Sequence, residues 1–180
     1  MNMDDFETIL FTEEQVSERV AQLGEEINKC YGDNPVLIIS VLKGSAPFAV
    51  DLMKHLKMDV MLDFIAASSY GAGTNSSGHL TITKDITLDI TGCDVIVVED
   101  IVDTGFTLSK IQEMLKGRGA KSVRIAAMLS KPSRRIVPVD VDFMGFEIPD
   151  KFVIGYGLDY AEKYRNLPFI AVLSKSVYEK

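Results

Sequence analysis

Apolar residues recur along this chain with two periods, and the switches between them mark out its elements. Over residues 12–30, Val16, Val20, Leu23 and Ile27 stand three or four apart, the spacing of one buried helical face. Thr12 and Gln15 precede that face at capping-box spacing, so a helix is predicted to open there. "PVLIISVL" (35–42) is a short β-branched run between turn residues and reads as a buried strand. Residues 45–56 read as a helix, with Ser45 as its cap and Pro47 early enough that its missing N–H is harmless. Residues 58–70 are strand-like, with Val60, Leu62 and Phe64 sharing a face. Residues 71–78 are a loop by composition, and 79–91 alternate apolar and polar as one or two exposed strands. A strand over 94–100, a helix from 104 to about Gly117 and a strand over 121–129 follow. Beyond the turn "SKPSRR" (130–135), residues 141–173 hold two or three more short strands.

This strand–helix–strand alternation predicts parallel βαβ units and an α/β, doubly wound, mostly parallel sheet flanked by helices. The length of 180 residues suits a single domain, 1–180, with no repeat, low-complexity segment or linker. Ligands of such sheets bind outside the carboxyl ends of the strands. Three loops leave those ends: the one after Leu42, the one after Ala67 and the one after Val98. They are expected to open on one side and to pool their chemistry.

Composition narrows the function classes. A net charge of −7 leaves no basic excess for a nucleic-acid surface. The N-terminus is acidic, without the basic segment of a signal peptide, and no apolar run is long enough to span a membrane. Cys30 and Cys93 have no metal-binding spacing and fit a reducing compartment. A cytoplasmic, soluble protein is expected, with neither nucleic-acid nor membrane partners.

The chemistry concentrates in "VIVVEDIVDTGFTL" (95–108). A strand, a small-residue turn and a helix gather free N–H groups at one point, and Thr104 and Thr107 add hydroxyls, so a phosphate monoester fits there. The alternative is that Asp103 or Thr104 only caps the helix. Glu99 and Asp100 sit at the end of a buried strand, where carboxylates are costly unless hydrated, paired or metal-bound. They read either as solvated strand-end charges or as ligands for a hard divalent cation such as Mg2+ or for sugar hydroxyls. Adjacent strand residues face opposite ways, so at least one reaches the mouth. A P-loop, a dinucleotide fingerprint and a G-x-S-x-G elbow are all absent or out of context. His55 and His79 stand apart from any partner motif and read as structural.

An apolar run, two acidic residues and then D-[ST]-G-x-T is a specific pattern, and here it resembles the phosphoribosyl-diphosphate (PRPP) signature of type I phosphoribosyltransferases. The rest of the chain, from Thr12 to about Leu173, resembles the bacterial hypoxanthine-guanine phosphoribosyltransferases. "LKGS" (42–45) is similar to their diphosphate loop and "SSYGAGTNSSG" (68–78) to their mobile loop. "SKPSRR" and "PDKFVIGYGLDYAEKYRNLPFI" resemble their purine-binding hood, which would be a small subdomain built from the N-terminal segment and about 131–170.

The resemblance implies a Mg2+-dependent reaction of PRPP with hypoxanthine or guanine, giving IMP or GMP and diphosphate. It implies that Asp103 is the general base. Thr104, Gly105, Phe106 and Thr107 would hold the 5′-phosphate. Glu99 and Asp100 would hold ribose hydroxyls and Mg2+, and Asp159 a second Mg2+. Lys43, Gly44 and Arg165 would contact diphosphate, and Lys131 the purine 6-oxygen. Phe152 would stack on the base, Val153 would bond its edge through the backbone, and Ser69 and Tyr70 would close over the reacting centre. It also implies a non-proline cis peptide at Leu42–Lys43 and a homodimer or homotetramer. Ser45, where many relatives have glycine, and Phe106, in the variable slot of the signature, depart from the commonest pattern. The competing readings are a PRPP-sensing regulator on the same fold and a transferase acting on adenine, uracil or orotate. The acidic balance and the "KFVIGYGLDY" segment speak against them. Preference among hypoxanthine, guanine and xanthine stays open.

Overall fold

A computed structural model of the protein describes residues 5–69 and 80–178. Strand β1 (Phe6–Phe11) comes first, a strand the sequence pattern did not announce. Helix α1 (Glu13–Tyr31) opens with the expected capping box. Thr12 Oγ1 accepts from Gln15 N at 3.3 Å, and Gln15 Oε1 accepts from Thr12 N at 2.9 Å. Val16, Val20, Leu23 and Ile27 are its buried face, as their spacing required.

Strand β2 (Val36–Val41) is buried throughout and leads into α2 (Ala46–Met53). The expected Ser45 cap is absent, because Ser45 makes no side-chain cap bond. β3 (Val60–Ser69) and β4 (Leu80–Lys84) are the next strands, with backbone only described at 68 and 69. Tyr70, loop residues 71–78 and His79 lie outside the described residues. β5 (Asp94–Val102) runs two residues beyond its predicted end, to α3 (Phe106–Gly117), which starts two residues later than expected. β6 (Ser122–Ser130), a three-residue turn of 3-10 helix (Pro132–Arg134), β7 (Phe143–Glu147), β8 (Val153–Ile154), β9 (Ile170–Leu173) and the short α4 (Lys175–Tyr178) complete the chain.

Six strands form one sheet in the order β4-β3-β2-β5-β6-β7. All its pairings are parallel except β3 with β4. The predicted mostly parallel sheet flanked by helices is therefore present. Alternate residues of β5 feed two cores. Ile96 and Val98 pack with α1 and α2, whereas Val95 and Val97 pack with α3. A second sheet, β1-β9-β8, is antiparallel and joins the two ends of the chain, with Phe6 opposite Leu173 and Phe11 opposite Ile170.

Asp63, a buried carboxylate of β3, stabilises the segment after β4. It accepts N–H bonds from Phe64 (2.7 Å), Thr87 (2.6 Å) and Leu88 (3.0 Å), and a hydroxyl bond from Thr87 (3.1 Å). Residues 85–89, read as strand, instead bend around this carboxylate. Burial pushes the Asp63 carboxyl up, but these donors outweigh it and bring it down to about 2 from 3.8. Folding thus favours the charged form. The stabilisation is full above the unfolded-state value near ~4 and fades as pH falls to about 2. Asp63→Asn is expected to cost on the order of 2 kcal/mol at neutral pH and to flatten the acid limb of stability between about pH 4 and 2. Thermal melts across that range read this directly, and an unchanged limb would remove Asp63 as its source.

Candidate active site

The loops that leave β2 and β5 meet where sheet and sequence together placed them. β2 last pairs with β5 at Ser40–Val98, so Glu99 and Asp100 extend beside the loop that leaves β2. That loop carries the expected cis peptide between Leu42 and Lys43. Gly44 lies so close to β5 that a Cβ there would stand 1.6 Å from Asp100 Oδ2. Gly157, at φ 97°, closes on the same loop from the other side, where a Cβ would stand 1.9 Å from the Gly44 carbonyl. The departure at Ser45 has a structural reason. Its hydroxyl donates to Val41 O at 2.7 Å and lies 2.7 Å from Ser40 Oγ, so Ser40 donates to it in turn. The loop is thereby tied back onto its own strand.

A cleft of about 350 Å³ is lined by Glu99, Asp103, Thr104, Gly105 and Thr107, with Leu42 at its edge. The helix-cap alternative for Asp103 and Thr104 fails. The N-cap of α3 is Gly105, in the left-handed region at φ 83°, and it makes no side-chain cap bond. Thr104 Oγ1 accepts only a long 3.4 Å bond from Phe106 N. Beyond Phe106, the first N–H groups of α3 have no capping side chain and carry the positive end of the helix dipole. Arg135 braces this loop from behind. Its Nε donates to Asp103 O at 3.1 Å, and its Nη2 donates to both Val102 O (3.2 Å) and Ser130 Oγ (2.8 Å). Ile136 N and Val137 N both donate to Thr104 O at 3.0 Å.

Glu99 and Asp100 lie in different surroundings. Glu99 lines the cleft, and Asp100 lies against Gly44. Burial, with Asp100's charge beside it, pushes the Glu99 carboxyl well above the usual carboxylate range. Burial also raises Asp100, against the pull of Glu99, the Ile101 N–H and the Arg165 guanidinium. Glu99 Oε2 is buried with no hydrogen-bond partner. Among the described residues no three His, Cys, Asp or Glu side chains converge on a metal position. A hard cation that takes one or two protein carboxylates and fills its shell with substrate oxygens and water fits this donor set; zinc does not.

The remaining candidates fall into two groups around the cleft. Lys43, Asp159 and Arg165 come together through Glu162. Arg165 pairs with Asp159 at 2.8 Å and with Glu162 at 3.5 Å, and Lys43 pairs with Glu162 at 3.1 Å. Asp159 also accepts from Glu162 N at 2.9 Å, so both its oxygens are engaged by protein groups. Lys131 is buried with its Nζ 3.6 Å from Asp150 Oδ1. Val153 is buried in β8, whereas Phe152 is 39% exposed. Phe152 packs edge-on to Tyr160, and Tyr178 stacks on its ring at 5.4 Å. The backbone of Ser69 makes the last pair of β3 with β4, opposite Leu80. Sequence reasoning missed Arg135, Glu162, Arg134 and Asp150; in the run "KPSRR", a hood signal, only Lys131 had an individual assignment. His55 packs its Cβ towards Gly24 of α1 and lines a separate cavity of about 480 Å³.

Residues 8–161 match the sequence model of the phosphoribosyl transferase domain. The chain is 48% identical over 179 residues to a hypoxanthine-guanine phosphoribosyltransferase of Bacillus subtilis, covering 99% of each. It is 46% identical to the Streptococcus pyogenes enzyme of that name, covering 98% of each. A crystal structure of a hypoxanthine phosphoribosyltransferase from Staphylococcus aureus superposes with a TM-score of 0.95 at 42% identity, covering 98% of this chain and 96% of that one. The chain belongs to the hypoxanthine-guanine phosphoribosyltransferase family. Membership of this enzyme family accounts for the central, mostly parallel sheet flanked by helices.

Gly44→Ala is expected to drive the Asp100 carboxylate out of place. kcat/KM is expected to fall at least about tenfold, since small displacements near reacting atoms are costly. Steady-state kinetics beside a thermal melt would check this; wild-type kinetics would mean that the Gly44–Asp100 approach is not needed.

Proposed function

We propose that the protein salvages purine bases, transferring the 5-phosphoribosyl group of PRPP to hypoxanthine and guanine and releasing IMP or GMP and diphosphate. One observation carries the reading. A single cleft pairs a buried, unpartnered carboxylate oxygen, Glu99 Oε2, with the open amide end of α3. A ribose 5-phosphate needs both, hydroxyl acceptors at one end and anion donors at the other.

In this reading Thr104, Gly105, Phe106 and Thr107 hold the 5′-phosphate, through backbone N–H groups and the two hydroxyls. Phe106 offers no polar side chain, so its backbone suffices. Glu99 and Asp100 hold the ribose hydroxyls, and their negative charge stabilises the cationic character that develops at the anomeric carbon. Asp103 takes the proton from the imidazole portion of the purine as its ring nitrogen forms the new bond and diphosphate leaves. Lys43, Gly44 and Arg165 receive the diphosphate, which requires Lys43 and Arg165 to loosen their pairs with Glu162 and Asp159. Lys131 donates to the purine 6-oxygen; a 6-amino group would present donors to a donor, which disfavours adenine. Phe152 stacks on the base with the face that Tyr178 leaves free, and the backbone of Val153 bonds its edge.

Mg2+, held by Glu99 and Asp100 and by Asp159, would neutralise charge on PRPP and its leaving group. The small β1-β9-β8 sheet and the segment from about 131 to 170 act as the hood over the base. Ser69, Tyr70 and the loop to residue 78 are the proposed lid that keeps water from the reacting centre. Cytoplasmic residence and a homodimer or homotetramer are part of the same proposal. No described helix is long and apolar enough to cross a membrane.

Steady-state kinetics with hypoxanthine, guanine, xanthine and adenine, each with PRPP and Mg2+, tests the reading; turnover of adenine above the oxopurines would overturn it. Asp103→Asn is expected to lower kcat by about 100-fold or more, with PRPP affinity within about twofold. Near wild-type turnover would remove Asp103 as the base. Lys131→Ala is expected to lower kcat/KM for hypoxanthine by about 10- to 100-fold, the usual loss of a charge-assisted bond in a partly buried site. An unchanged value would sink its role as the 6-oxygen donor.

A further inference from the structure

The main chain around Asp103 is well held, but its carboxylate is not. Arg135, Ile136 and Val137 fix the carbonyls of Asp103 and Thr104. These bonds end on main-chain oxygens, not on the Asp103 carboxylate. Its Oδ1 is buried and makes no well-angled hydrogen bond. The group that reaches it is Arg134, from the 3-10 turn after β6, whose Nε lies 2.7 Å from that Oδ1. The opposite end of the same guanidinium lies 3.4 Å from Asp150 Oδ1. That oxygen is also 3.6 Å from Lys131 Nζ. Four charges of alternating sign, Asp103, Arg134, Asp150 and Lys131, thus run from one proposed purine contact to the other.

We propose that Arg134, steadied by Asp150, is a positioning residue that orients the Asp103 carboxylate for proton transfer. The inference rests on Asp103 being the base. An aspartate side chain turns about two bonds, and a base loses rate when it strays from reach of its proton. Arg134 occupies Oδ1 and leaves Oδ2 to face the purine. The pair is a poor element of stability, because the Arg134 and Asp103 side chains are 46% and 40% exposed. What the pair contributes is orientation.

The discriminating experiment compares Arg134→Gln, Arg134→Lys, Asp103→Asn and the double variant Asp103→Asn/Arg134→Gln, with hypoxanthine and PRPP as substrates. Arg134→Gln is expected to lower kcat about tenfold, with KM for PRPP and for hypoxanthine within about twofold and Tm within a degree or two. Arg134→Lys keeps the charge and is expected to recover part of the loss. In the Asp103→Asn background the Arg134→Gln change is expected to add nothing, because the group it orients is gone. Three results overturn the proposal: wild-type kcat in Arg134→Gln, the same fractional loss in both backgrounds, or a raised KM for hypoxanthine at unchanged kcat, which would mean direct substrate binding. Failure of the underlying reading looks different. There, Asp103→Asn by itself retains wild-type turnover, whatever Arg134→Gln does.

Discussion

The functional end of this molecule depends on what β5 does in its last third. From Val95 to Val98 the strand is apolar, paired on both sides, and closed by helices on both faces. Then, still inside the sheet, it turns acidic. Carboxylates in that position are unfavourable unless something meets them. The protein meets Asp100 with the Ile101 N–H and the charge of Arg165, and leaves Glu99 Oε2 without a partner. Folding stability from the apolar part of β5 holds these two groups where their ionised forms are disfavoured. A ligand bearing hydroxyls or a bound cation would relieve that state, so the binding energy of the proposed sugar phosphate would have a ready use.

The surrounding loops fit this strand by close backbone approach. Gly44 rests on Asp100, Gly157 rests on the Gly44 carbonyl, and Ser45 pins the loop to Ser40 and Val41. Serine at a position where glycine is commoner thus costs the site nothing, because its hydroxyl turns inward to the strand and away from the cleft. Ion pairs then connect the periphery. Glu162 gathers Lys43 and Arg165, and Asp150 gathers Lys131 and Arg134. The cations proposed to receive the leaving group and the base are therefore held by carboxylates until substrate competes for them.

The large sheet and most of the site were legible because their signals are local. β2 and β5 are unbroken β-branched runs, α1 carries its cap and its face within one segment, and the D-T-G-F-T turn names its own geometry. What stayed hidden was non-local. β1, "FETILF", is exposed along much of its length and becomes a strand only because β9 lies beside it. The Arg134–Asp103 contact joins surface charges that look like any other charges in sequence. The start of α3 was misplaced because Thr104 is a common cap, whereas the chain uses the left-handed Gly105 and leaves the helix end open.

The antiparallel seam of β1 and β9 has a consequence for how the molecule is born. Phe6 is opposite Leu173, so the first strand to leave the ribosome waits for the last one. The six-stranded sheet can assemble in chain order, each βαβ unit closing on the one before. The small sheet cannot begin until nearly the whole chain is out, and its loop-closure entropy is smallest once the large sheet has already drawn the two ends together. A nascent chain should therefore hold the cleft at the end of β5 in near-final form before the small sheet exists.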